Sequence, residues 1–369
     1  MARNNWQIRA PIRRQHAQEY LLLTLFSFGV TVSLTRLFLW ATGYPQIGGG
    51  ELHIAHVLWG GLLLFGACLL PLIFANHWAL TCSALVGGAG VGLFIDEVGK
   101  FITQSNDYFY PSAAPIIYVL FLLTVLVYTQ VKQPRARNSR TIMYGLLQDM
   151  EEVLDHDLSE PEQARMLAHL HQVEQTSQQK DLANLAGSLR RFLSRKDTPI
   201  VPDTPPFLTR LRDRYLDWEA HWLTENRMRP ALGAGLVAMG SWALIFPLRT
   251  ILTLRNPADF QLLLTQLIEN RLVRNASGLN WFEARVGLEG GLGLIIFVAG
   301  FLLLIGKTRL AMRIAYPALL VILVIGNLLL FYFDQFSTIA NAAVEFLLLS
   351  GVWRYRVRFL DPPADTDKS

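Results

Sequence analysis

Charge is what this chain has least of. Asp, Glu, Lys and Arg make up 17% of its 369 residues, against about 25% in an ordinary soluble domain. Cysteine is nearly absent too: Cys68 and Cys82 are the whole complement. Both lie in apolar segments, at similar depth on either side of the Ala75–His77 turn. That argues against a disulfide framework and for two small buried hydrophobes. The net charge of +4 is too small and too dispersed for a nucleic-acid footprint, so no nucleic-acid partner is expected. Walker, kinase, rhomboid and zinc-protease signatures are missing.

What the chain has is apolar length. It is 52% hydrophobic, with a mean hydropathy of +0.30. Several apolar runs approach or exceed the roughly 18–20 residues that span a hydrocarbon core. This predicts an all-α, polytopic integral membrane protein of about eight transmembrane helices. Residues 1–18, with Arg3, Arg9, Arg13 and Arg14, form a basic cytoplasmic N-terminus. The apolar run that follows has no small-residue cleavage site and is expected to be a first span, not a signal peptide. Residues 19–131 hold helices 1–4. Residues 230–358 hold helices 5–8, with an amphipathic helix near 257–273 on the outer surface. Residues 359–369 are a cytoplasmic tail. Basic residues cluster at Lys132–Arg140, Lys307–Arg313 and Arg354–Arg358, which places both termini inside a bacterial plasma membrane. Arg255, Arg271 and Arg274 are the exceptions.

Residues 132–229 break this composition. Met143, Leu146, Leu147, Met150 and Leu154 follow a 3–4 spacing, and Leu182, Leu185, Leu189 and Phe192 continue it. Ser159-Glu-Pro-Glu162 is a capping box with Pro in the first helical turn. A small helical cytoplasmic domain is expected here, with a protein partner docking through 133–227. The two membrane halves are weakly alike. Trp59-Gly60-Gly61-Leu62 lines up with Glu289-Gly290-Gly291-Leu292, and Phe94-Ile95-Asp96 with Tyr332-Phe333-Asp334. Two four-helix halves in parallel orientation are one reading. Chance likeness between apolar helices is the other.

The polar residues inside the spans narrow the search for a site. Trp78 to Asp96 is eighteen steps, about 27 Å of helix, so Asp96 falls at the outer edge of the membrane core. His53 and His56, at the start of helix 2, fall at the same rim and share a helix face. With Asp96 they form a candidate ligand set for Zn, Fe or Mn, and Glu97 is the candidate catalytic base or a further ligand. The competing structural reading has the histidines hydrogen-bonding at the headgroup level and Glu97 and Asp96 pairing with Lys100. Arg36, Arg249, Glu289, Asp334 and Glu345 also fall in the outer halves of their helices. They are candidate substrate-binding residues. Structurally, Arg36 is expected to pair with Asp96, and Arg249 with Asp334. Asp155-His156-Asp157 and His169-Leu-His171 read as a solvated face. Asn275-Ala-Ser277 is a glycosylation sequon with nothing to support its use.

The strings GELHIAHVLWGGLLL, GVGLFIDEVGKFIT and NDYFYPSAAPIIY resemble ones found in uncharacterised multi-pass membrane proteins of bacteria. The resemblance covers about Gly50–Tyr118 and implies no activity. Three functions stay open on the sequence: a metal-dependent enzyme acting on a lipid-like or small substrate at the outer face; a small-solute or lipid transporter working between the halves; and a non-catalytic sensor or scaffold.

Overall fold

The computed structural model describes residues 11–43, 55–133, 138–195, 199–202, 207–253, 261–262, 265, 268 and 276–361. Everything regular among them is helical, apart from an isolated bridge between Ser159 and Val201. The helices are α1 (Ala17–Thr42), α2 (His56–Ile73), α3 (His77–Asp96), α4 (Val98–Ile102), α5 (Ala113–Lys132), α6 (Ser139–Leu154), α7 (Glu160–Thr176) and α8 (Lys180–Leu193). They continue as α9 (Phe207–Trp222), α10 (Glu225–Thr253), α11 (Ala276–Leu304), α12 (Thr308–Val321), α13 (Asn327–Asp334) and α14 (Ile339–Tyr355). A π turn, Ile322–Gly326, joins α12 to α13, and a 3-10 turn, Gln335–Thr338, joins α13 to α14.

Seven of these segments are long and apolar enough to cross a membrane: α1, α2, α3, α5, α10, α11 and the continuous run Thr308–Asp334. Their surfaces make the same point. Phe26, Leu72, Trp242 and Leu347 are each about two-thirds or more exposed, and apolar area on that scale is stable only against lipid or a partner. The chain is thus a multi-pass membrane protein. The segment expected as an eighth span is helical, as α14, but at 17 residues it is not among the seven. Of the expected amphipathic segment 257–273, only 261, 262, 265 and 268 are described, all helical.

The chain divides into two compact units: Met1–Phe28, Leu62–Gly90 and Thr124–Arg210 in one, and Gly29–Gly61, Val91–Leu123 and Leu211–Ser369 in the other. In the first unit, α6, α7 and α8 wrap Met143, Leu146, Leu158, Leu170, Val173 and Leu193 into a core. The capping box forms as expected: Ser159 N–H donates to Glu162 Oε2 at 3.0 Å, with Pro161 in the first turn. The predicted stripes hold in part: Met143 and Leu146 are buried and Met150, Leu182 and Leu189 pack against the core. Leu147, Leu154, Leu185 and Phe192 are exposed, while Ile142, Val153, Ala186 and Leu193 face inward. Three amphipathic helices sharing one core bury only a narrow arc each, so the residue beside the stripe is taken when it fits better. Cys68 is also exposed rather than buried, and neither it nor Cys82 is in a disulfide. Arg13 donates to the Val131, Gln133 and Gln130 carbonyls, which caps the end of α5; a cation there also answers the negative end of the helix dipole.

In the second unit the backbones of α10 and α11 touch. A Cβ on Gly240 would lie 2.5 Å from Phe297 N, and one on Gly300 2.7 Å from Val237 N. Gly233 and Gly293 extend the seam. Without side chains between them, two helices gain dispersion contacts that lipid cannot supply. Leu232, Leu236, Ile296, Leu303, Met312 and Leu319 fill the core around it. Farther along, buried Glu219 on α9 accepts from Arg354 Nε at 2.7 Å and Nη2 at 2.8 Å. These hydrogen bonds hold its carboxyl below the usual range. The basic end of α14 is therefore partly a structural clasp.

The seam predicts opposite outcomes for two similar substitutions. Gly240→Ala should destabilise the protein by about 1–3 kcal/mol, through overpacking against backbone. Gly291→Ala has no atom within 4 Å of its new Cβ and should be neutral or slightly stabilising. Thermal unfolding of purified protein in one detergent compares them; equal losses would contradict the seam. A second prediction concerns Glu152 on α6. Burial, with Glu162 and Asp149 nearby, pushes its pKa from 4.5 up to about 7. The folded state therefore holds this proton more tightly, and stability falls as pH rises across that interval. Glu152→Gln should flatten that slope in melting curves taken against pH; an unchanged slope would refute the assignment.

Candidate functional site

The end of α3 gathers the polar residues of the α2–α3 hairpin. Asp96, the last residue of α3, is completely buried. Its Oδ1 accepts from Arg36 Nε on α1 at 2.5 Å, and its Oδ2 contacts His56 Nε2 on α2 at 2.9 Å and accepts from the Tyr108 hydroxyl at 2.7 Å. Arg36 Nη2 also donates to the Asp96 carbonyl at 2.9 Å. Glu97 is 1% exposed. Its Oε1 accepts from Lys100 Nζ at 2.8 Å and lies 3.2 Å from His56 Nδ1. His56 thus bridges the two carboxylates, one at each ring nitrogen. With both acids ionised, both nitrogens must act as donors.

Aromatic rings enclose this cluster. The Arg36 guanidinium sits 3.7 Å from the Phe336 ring centroid and 4.2 Å from that of Tyr108. Stacking suits a planar, weakly hydrated cation. Tyr108 arrives on the 103–112 loop because Gly99 allows it: a Cβ there would be 2.7 Å from the Asp107 carbonyl oxygen. Burial, with the Asp96 charge next in weight, keeps the Tyr108 proton in place well above the usual phenol range. Tyr108 is therefore a permanent donor to Asp96. Both oxygens of Asp96, both nitrogens of His56 and one oxygen of Glu97 are engaged. Glu97 Oε2 is buried and has no hydrogen-bond partner among the described residues.

A second arginine–aspartate pair occurs elsewhere in the same unit, with different partners from those expected. Asp334, the last residue of α13, is held by Arg285 of α11 through both terminal nitrogens, Nη1 to Oδ1 at 3.0 Å and Nη2 to Oδ2. Arg249 is exposed and does not take this role. Arg285 can reach Asp334 because it is buried between the Phe246 ring, 4.3 Å away, and that of Phe333, 5.3 Å away. It also contacts Glu289 Oε2 at 3.5 Å. Glu345 joins neither cluster; it accepts from Asn327 Nδ2 at 2.5 Å.

The structure therefore brings Arg36, His56, Asp96 and Glu97 together, while Glu289 and Asp334 share Arg285. His53 lies outside the described residues. Among the described residues, no group of three or more His, Cys, Asp or Glu is arranged to hold a metal ion. Tyr108 and Phe336 were absent from the sequence expectations. The NDYFY string that carries Tyr108 was visible, but nothing local to Phe336 links it to Arg36.

A buried pair of this kind is costly to break and cheap to replace. Arg36→Met should destabilise the protein by about 3–5 kcal/mol, because it strands Asp96. Adding Asp96→Asn, which removes the stranded charge but keeps an oxygen for Tyr108 and His56, should recover part of that loss. A double-mutant cycle in detergent unfolding measures the coupling; additive losses would show that the two side chains are not paired.

No protein-family model, curated protein or solved structure matches this chain, so the reading of the cluster rests on its geometry.

Proposed function

We propose that this is an eight-span protein of a bacterial plasma membrane, with both termini cytoplasmic, and that the Arg36–His56–Asp96–Glu97 cluster is its functional site at the outer face. The site acts as an acid–base centre on a small or lipid-like substrate. One observation carries the reading: in a cluster whose other carboxylate and imidazole atoms are engaged, Glu97 Oε2 is a buried acceptor without a partner among the described residues. A buried lone oxygen of this kind is destabilising unless a ligand donates to it.

The roles follow from the contacts. A hydroxyl, amine or water brought to Oε2 gives its proton to Glu97 as general base. Lys100 and His56 hold Oε1 and so aim the free oxygen. Asp96, anchored by Arg36 and Tyr108, fixes the His56 ring from the other side. His56 is then placed to move a proton between the two acids. The proposed chemistry uses protons and this chain's own side chains; a Zn, Fe or Mn ion held by His56 and Asp96 would have to displace the hydrogen bonds that these atoms make.

The test is Glu97→Gln, which keeps the volume and an oxygen for Lys100 but removes the base. Lipid and small-metabolite profiles are compared by mass spectrometry in bacteria carrying wild-type protein, the variant, or an empty vector. Wild type alone should shift at least one species, with the variant matching the vector while retaining its melting temperature. A variant that produces the same shift as wild type would overturn the role of Glu97. Three identical profiles would overturn the enzymatic reading.

A further inference from the structure

A second polar site lies within the apolar helices of the same unit, separate from the cluster above and independent of the proposed enzymatic role. Glu345 on α14 is 2% exposed and Asn327, the first residue of α13, is wholly buried. Their side chains meet at 2.5 Å, Nδ2 to Oε2. The same Nδ2 lies 3.4 Å from the Leu323 carbonyl, which also accepts from the Tyr118 hydroxyl. Leu323 belongs to the π turn Ile322–Gly326. There the Asn327 N–H reaches back five residues to Ile322 O, which widens the helix, a distortion that recurs at functional sites.

Two features of this site are unsatisfied. The first is charge. Glu345 has one neutral amide as its hydrogen-bond partner, and no cation lies within ion-pair distance among the described residues. The ionisable groups facing it are Tyr118 from α5 and Glu289 from α11; Glu289 is already drawn to Arg285. An uncompensated carboxylate among apolar helices is strongly disfavoured unless a proton or cation neutralises it. The second is the amide oxygen. Asn327 Oδ1 is buried with no hydrogen-bond partner among the described residues. While Glu345 is ionised and no cation is bound, flipping the amide is no remedy, because it would set Oδ1 against the Glu345 and Leu323 oxygens that Nδ2 now serves.

We propose that Glu345, Asn327 and the π turn form a binding site for one exchangeable monovalent cation, a proton or an alkali ion, within the membrane-spanning bundle. A carboxylate, an amide oxygen and backbone carbonyl oxygen are hard donors suited to such an ion. A single available acid matches a single positive charge. Tyr118, by donating to Leu323, holds the widened turn in register.

Infrared difference spectra of the full-length protein, wild type against Glu345→Gln, test this in detergent or lipid nanodiscs. The pH is stepped in choline chloride and again in sodium chloride. Wild type should show a protonated-carboxyl band that the variant lacks and that converts to carboxylate. Conversion by pH alone identifies a proton site, and conversion by sodium at fixed pH an alkali-ion site. Asn327→Leu should weaken the exchange on the order of tenfold, seen as a shifted midpoint. A band that responds to neither treatment, or a Glu345 ionised throughout, would overturn the proposal by showing a fixed structural group. Unchanged melting temperatures confirm folding. Glu97→Gln should leave the band intact, so failure here and failure of the acid–base reading are separable.

Discussion

An ionised side chain inside an apolar helix must be neutralised where it stands, and this constraint shapes the second unit of the chain. Arg36 with Asp96 and Arg285 with Asp334 are the two fully formed answers. Each acid ends its helix, where the exposed carbonyls already make the local field negative. A carboxylate there is doubly in need of a cation. Each arginine comes from another helix and lies between two aromatic rings, which shield the pair and orient the guanidinium. The pairs therefore fix which helix faces which, and in doing so they hold the neighbouring polar groups in place.

Glycine contacts supply the complementary constraint. Helices in lipid gain little from hydrophobicity alone, so close backbone approach must replace it. Gly88 on α3 would place a Cβ 2.3 Å from the Thr24 carbonyl oxygen of α1, and Gly240 and Gly300 in the α10–α11 seam would place theirs 2.5 and 2.7 Å from facing backbone nitrogens. With the backbone this closely packed, side chains at the helix ends have little room to rearrange. Among the described residues, three buried side-chain oxygens have no hydrogen-bond partner, Gln15 Oε1, Glu97 Oε2 and Asn327 Oδ1, and the last two lie in the second unit beside its buried acids.

Much of the architecture was legible because it depends on local pattern. The spans follow from runs of apolar residues. The capping box at Ser159 follows from four consecutive residues. The meeting of His56 with Asp96 and Glu97 follows from hairpin geometry, since the start of one helix and the end of the next must be neighbours. The misreadings came where the answer depends on which face a helix presents. Arg249 and Arg285 sit at similar depth, and only the rotation of α10 and α11 about their axes assigns Asp334 to the second. Leu147 and Leu154 fit a helical stripe as well as Ile142 and Val153 do, yet the shared core selects the latter. Arg354 and Arg358 look like simple topogenic charges until Glu219, 135 and 139 residues away, is seen to hold them.

The sequence by itself determined that the chain is helical, membrane-embedded and interrupted by a polar helical segment, because hydrophobic length and period are properties of contiguous residues. Only the tertiary structure decided the partners: Phe336 over Arg36, Arg285 on Asp334, Asn327 on Glu345 across a π turn. Those contacts join residues far apart in the chain. They depend on helix rotation and on a single extra residue in one helical turn, neither of which leaves a trace in local composition.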